Sequence, residues 1–142
     1  MKVLGMMKLD FVPVSSDLAL LVLRVWSGLA MLVLHGWGKM VNFNQVAQNF
    51  PAIIGSPRLS LGLAVFAEVV CAALLALGLF TRLAALNLLA TMAVAFFLVH
   101  GGALSGEQSG ELAFIYLATY AVLTVAGGGR FALDTVVGSK HQ

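Results

Sequence analysis

The chain has 142 residues, of which 61% are hydrophobic and 10% charged, with a net charge of +2 and a mean hydropathy of +1.00. That leaves too little polar surface to cover a soluble globule, because average globular usage is nearer a quarter charged, and it places the chain in a lipid bilayer. The basic residues are scattered rather than gathered on one face, which argues against nucleic acid as a partner. Cys71 stands alone, which excludes an intrachain disulfide, a CxxC redox pair and a thiolate metal cage.

Taken in chain order, the first apolar span is expected over about 17–39, opening after Pro13 and a Ser15-Ser16 pair suited to capping a helix start. Arg24 interrupts the run, which outlasts a signal-peptide core and lacks a convincing cleavage site, so it reads as a retained transmembrane helix. Between Met40 and Pro57 the Asn- and Gln-rich stretch reads as a loop, with Phe43, Val46 and Phe50 spaced for a short interfacial turn.

The second span is expected over 59–80, broken only by Glu68, and a tight Thr81-Arg82 turn leads to the third at 83–100. A Gly- and Ser-rich turn at 101–110 precedes the fourth span, 111–126. Each is long enough, at about 1.5 Å per residue, to cross a hydrocarbon core of roughly 30 Å with modest adjustment.

The resulting expectation is an all-α fold, an integral membrane antiparallel four-helix bundle forming a single domain over 1–142. Lys2, Lys8, Arg82, Arg130 and Lys140 fall on one side of it, against Lys39 and Arg58 on the other. The positive-inside rule then predicts a multi-pass protein with both termini cytoplasmic. On the second span Ser60, Ala64, Glu68, Ala72 and Ala76 recur every four residues, a narrow strip along which a neighbouring backbone can approach.

Ionisable residues inside such spans are costly and mark candidate functional positions. Arg24, Gly28, Met31, His35 and Lys39 share a face at α-helical spacing. At about 1.5 Å per residue, Arg24 lies about 10 Å from the cytoplasmic end, His35 near the opposite interface and Glu68 near the middle. Glu68 is therefore expected to reach Arg24 or His35, as a register-fixing ion pair or as part of a functional site.

Asn87 lies near the depth of Arg24, where it could satisfy the guanidinium. His35, Trp37, Lys39, His100 and Glu111 gather at the outer ends, either as interfacial anchors or as one shared site. No HxxxH or ExxH pair is present, so no metal site is assigned. Tyr116, Tyr120 and Thr124 form a hydroxyl stripe that serves as tertiary glue or lines a small-molecule cavity.

HGWGKM (35–40) after an LRVWSGLAML helix, a Glu in a small-residue second helix, GLFTRLAALNLLATMAVA (78–95) and GELAFIYLATYAVLTVAGGGRFALD (110–134) resemble the DoxX family of small bacterial four-helix membrane proteins. The resemblance runs from Leu18 to Asp134, and the TR-x-A-A turn segment and the closing G-x-G-R-[FY]-x-L-D element are its more specific parts. It implies a cytoplasmic (inner) membrane oxidoreductase component, related to thiosulfate:quinone oxidoreductase subunits and to redox-stress or quinone detoxification systems. It places Arg24, His35, Lys39, Glu68, Arg82, Glu111, Arg130 and Asp134 at the family's polar positions. The familiar G-P-G-R is GGGR here, at 127–130, which leaves Arg130 and Asp134 four residues apart and able to pair.

On this reading the chain binds a quinone-like molecule or anchors a soluble redox partner, with Glu68 as candidate proton carrier. Arg24, His35, Lys39, Glu111, Tyr116 and Tyr120 are the candidate ligand-binding residues. No flavin or haem motif is visible, so the electrons come from elsewhere. The competing reading is a non-enzymatic scaffold or assembly subunit, or a permease-like bundle, and either is compatible with a homo-oligomer.

Overall fold

The structure, a computed structural model, describes Met7, Leu9, Val12 and residues 14–138. Lys2, Lys8 and Lys140, which help to orient the chain, lie outside the described residues. Every regular element among the described residues is helical. Three helices are long and apolar enough to cross a membrane: α1 (Ser16–Val41), α3 (Pro57–Leu77) and α4 (Thr81–Val99). Between the first two lies one short turn of helix, α2 (Phe43–Val46), at the position expected from Phe43 and Val46. The shorter apolar helix α5 (Glu111–Ala126) follows, and α6 (Leu133–Gly138) ends the described chain.

The helix ends follow from local chemistry. Ser15 caps α1 by accepting from the Leu18 amide at 3.2 Å, and Ser56 caps α3 from Leu59 at 3.2 Å, with Pro57 at the first helical position. Helix α3 stops at Leu77, three residues short of the expected 80, because Gly78 turns left-handed at φ +75°. The amides of Gly78 and Leu79 then bond back to the carbonyls of Leu75 and Leu74, at 3.0 and 2.9 Å, which closes the helix.

Packing pairs α1 with α3, α3 with α4 and α4 with α5. The shared core holds Met31, Cys71, Leu75, Leu88, Tyr120 and Leu123, all buried. Cys71 packs there as a small hydrophobe. The small-residue strip of α3 meets α1: a Cβ added at Gly28 would stand 2.8 Å from the Ala72 carbonyl oxygen and 3.1 Å from the Ala76 Cβ.

Each spanning-length helix contains a π-helical segment, Met31–Gly36 in α1, Phe66–Cys71 in α3 and Ala95–Val99 in α4. A π turn takes up an extra residue, so a face drawn at α-helical spacing is displaced beyond it. In α1 the buried positions run Arg24, Ser27, Gly28 and Met31, then step to Gly36 rather than His35.

Candidate functional site

Gly36 sets the closest approach of α1 to α3. Any Cβ there would lie 2.5 Å from the Glu68 carbonyl oxygen, so only a glycine lets the two backbones meet at this depth. Three residues beyond Gly36, on the same side of α1, Lys39 faces Glu68. Its Nζ lies 2.6 Å from Oε1 and 2.7 Å from Oε2, a two-oxygen clasp. The Glu68 side chain is 4% exposed and that of Lys39 30% exposed, so the carboxylate is enclosed and the ammonium is half-buried.

The expectation that Glu68 pairs with Arg24 or His35 is thereby corrected. Arg24 is buried at the other end of α3, where it donates to the carbonyls of Ala76 (2.5 Å), Leu75 (3.4 Å) and Phe131 (2.9 Å). The physical reason is the closure at Gly78, which leaves the carbonyl of Ala76 without a helical partner, and a guanidinium has enough donors to serve several acceptors. His35 turns instead towards α5, meeting Tyr116 edge-to-face at 5.8 Å between centroids. Tyr116 stacks on Tyr120 at 5.7 Å, and the Tyr120 hydroxyl points to the Ser27 carbonyl at 3.4 Å.

The outer residues separate as well. His100 Nδ1 is 3.1 Å from the Gln108 carbonyl, while Glu111 is exposed at the start of α5. Among the described residues no group of three or more His, Cys, Asp or Glu could hold a metal ion, so His35, His100 and Glu111 do not form one metal centre. An acidic residue in the first turn of α5 suits the helix dipole.

The closing G-x-G-R-F-x-L-D element works differently from the expected Arg130–Asp134 pair. Asp134 spans to the start of α4, its carboxylate accepting from the amides of Phe80 (2.6 Å) and Thr81 (2.9 Å). It supplies the N-cap that Phe80, left-handed at φ 49°, does not supply from its own side chain. Arg130 instead faces Asp17: its amide donates to Oδ1 at 2.9 Å and its side chain lies 4.0 Å from Oδ2. Arg82 donates to the Thr124 carbonyl at 2.9 Å, satisfying the last turn of α5.

The Lys39–Glu68 pair forms part of the wall of a cavity of about 430 Å³ between α3 and α4. Its outer part is bounded by Phe50, Pro51, Ile53 and Ile54 from the segment after α2. That segment is held by Ser60, whose hydroxyl accepts from the Ile54 amide at 2.9 Å and lies 3.2 Å from the Ile54 carbonyl. The α4 wall carries Asn87, Thr91 and His100. Asn87 is therefore not the partner of Arg24; it donates to the Leu83 carbonyl of its own helix at 3.0 Å. Arg24, His35, Tyr116, Tyr120 and Glu111 line no part of this cavity, which brings Lys39 and Glu68 together with His100.

A family model, DoxX, matches residues 19–101, more than half of the chain. The chain belongs to the DoxX family. The match takes in Arg24, His35, Lys39 and Glu68, whereas the closing element that carries Arg130 and Asp134 lies beyond it. This DoxX protein is also 34% identical over 105 residues to a protein of Haemophilus influenzae described as uncharacterized, covering 70% of this chain and 77% of that one. No solved structure matches this chain. Family and helix lengths together make it an integral membrane protein of a bacterial type.

Proposed function

We propose that this DoxX protein is a component of a quinone-linked oxidoreductase or redox-stress system of the cytoplasmic membrane, binding a quinone-like molecule in the cavity between α3 and α4. The reading is carried by one observation, an enclosed carboxylate clasped by an ammonium on the wall of a largely apolar cavity of about 430 Å³. In it the whole chain forms one domain, a four-pass antiparallel bundle in which α5 spans with its polar ends near the interface. The excess of Lys and Arg at the side of the termini and the Arg82 turn supports an orientation with both termini in the cytoplasm.

Reduction of a quinone to a quinol takes two electrons and two protons. A redox partner protein supplies the electrons. Lys39 donates a hydrogen bond to the ring oxygen and stabilises negative charge as it develops there. Glu68, once it has taken a proton from the medium, releases Lys39 and delivers that proton to the oxygen beside it, and the second proton reaches the opposite ring oxygen from the medium at the open side of the cavity. The apolar walls exclude water from the ring and favour a ligand that partitions from lipid.

The test is quinone analysis of the protein purified from membranes in mild detergent. Retention of about one quinone per chain, lost in Lys39→Met, is expected. A quinone-free wild type that also fails to take up added short-chain quinone would sink the reading and favour a scaffold.

A further inference from the structure

The cavity differs along its length. At about 1.5 Å per residue, the stretch that borders it, from Asn87 in α4 to His100 just past the end of that helix, runs about 20 Å. The turn at Gly78–Phe80 joins the inner ends of α3 and α4, so Glu68 comes level with Ala90 and Thr91, about 14 Å from the turn on each helix. Beyond that level, towards the outer side, the walls are apolar, with Phe50, Ile53, Ile54 and Leu63 among them. Of the polar groups there, Ser60 meets both backbone groups of Ile54, and His100 meets the Gln108 carbonyl through Nδ1.

At the inner level the hydrogen-bonding capacity is only partly used. Asn87 directs its Nδ2 to the Leu83 carbonyl, and Thr91 donates its hydroxyl hydrogen to the Asn87 carbonyl at 2.9 Å. An amide side chain carries two hydrogens and an acceptor oxygen, so Asn87 keeps one donor and Oδ1, and Thr91 keeps its acceptor sites. Asn87 is exposed on a spanning-length helix yet borders the cavity. A side-chain amide left facing hydrocarbon is costly, and a ligand that takes up the remaining donor offsets that cost.

We infer that Asn87, seconded by Thr91, is a ligand-binding residue across the cavity from Lys39 and Glu68, and that the ligand is an apolar-tailed ring bearing hydrogen-bonding oxygens on two opposite sides. The ring lies at the inner level, one oxygen on Lys39–Glu68 and the other on Asn87, and the tail runs outward beneath the Phe50–Ile54 segment. The oxidised ring accepts from Lys39 and from Asn87 Nδ2, and the reduced ring donates to Glu68 and to Asn87 Oδ1. This rests on the quinone reading above and adds to it the second contact and the orientation.

The experiment compares two probes on the full chain in phosphatidylcholine nanodiscs by equilibrium dialysis: menadione, with two opposed ring carbonyls, and tetralone, with one. The single carbonyl of tetralone goes to the charged donor Lys39, the stronger of the two. Asn87→Leu is expected to weaken menadione about threefold to tenfold, the worth of one neutral hydrogen bond, and to leave tetralone within about twofold. Thr91→Val, which keeps the side-chain shape, is expected to move the same way by a smaller factor and serves if Asn87→Leu does not fold. Equal weakening of both probes, or no weakening of menadione, overturns the assignment while leaving the quinone reading in place. Failure of both probes to bind the wild type overturns the quinone reading itself, and this inference with it.

Discussion

Replacing Lys39 by Met should destabilise the protein far more than replacing Glu68 by Leu, although each change removes the same ion pair. The asymmetry comes from burial. The Glu68 side chain is 4% exposed, so losing Lys39 strands a carboxylate in the interior, at a cost of about 3–5 kcal/mol. Losing Glu68 strands an ammonium whose side chain is 30% exposed on a flexible stem. That group swings towards the open side of the cavity and rehydrates, so the cost falls to about 1 kcal/mol, the scale of an exposed pair. The double variant should recover most of the Lys39→Met loss, since two apolar side chains replace a closed pair at little net cost. Unfolding in mixed micelles, titrated with a denaturing detergent, measures all three. Single variants within about 0.5 kcal/mol of each other, or a double variant worse than either, would refute the reasoning.

Gly36→Ala should lower stability by about 1–3 kcal/mol, because the new methyl stands 2.5 Å from the Glu68 carbonyl oxygen, while Gly38→Ala, with nothing within 4 Å, serves as the near-neutral control in the same unfolding assay. Asp134→Ala should cost about 1–2 kcal/mol by uncapping α4, and hydrogen exchange should speed up at the Phe80 and Thr81 amides ahead of the helix centre. For topology, cysteines at Asn44 and Ser105 in a Cys71→Ala background should react with an impermeant reagent from outside, and one at Val137 only after permeabilisation; the reverse pattern would invert the orientation.

The spans were legible because the hydropathy signal is strong and its interruptions are turns. The helix expected at 111–126 matches α5 at both ends, and the ends of the other three shift by one to three residues, as where Pro57 extends α3 backwards and Gly78 cuts it short. The pairing of the buried charges was not legible. A face drawn at 3.6 residues per turn holds both His35 and Lys39, and the π segment Met31–Gly36 puts Gly36 in place of His35 against α3, which leaves Lys39 to meet Glu68. Arg24 was equally opaque, since its acceptors exist only where the left-handed Gly78 and the returning chain at Phe131 meet. Asn87 was noticed for its depth and assigned the wrong neighbour, because depth along a helix says nothing about which way the residue faces. Asp134 was visible as part of a motif, but its service to amides far away in sequence follows only from the fold.

The π segment in α1 also makes the chain tolerant of a change in length at one place. Deleting a single residue between Met31 and Gly36 would let that stretch relax into an ordinary α-helix with its end groups in place, so insertion into the bilayer need not suffer. The residue lost is the extra one that the π turn absorbs, so the flanking parts of α1 would keep their facing, the Gly28 contact on one side and Lys39 opposite Glu68 on the other. The same deletion in a regular stretch of the helix would instead rotate everything beyond it by about 100° and swing Lys39 away from Glu68.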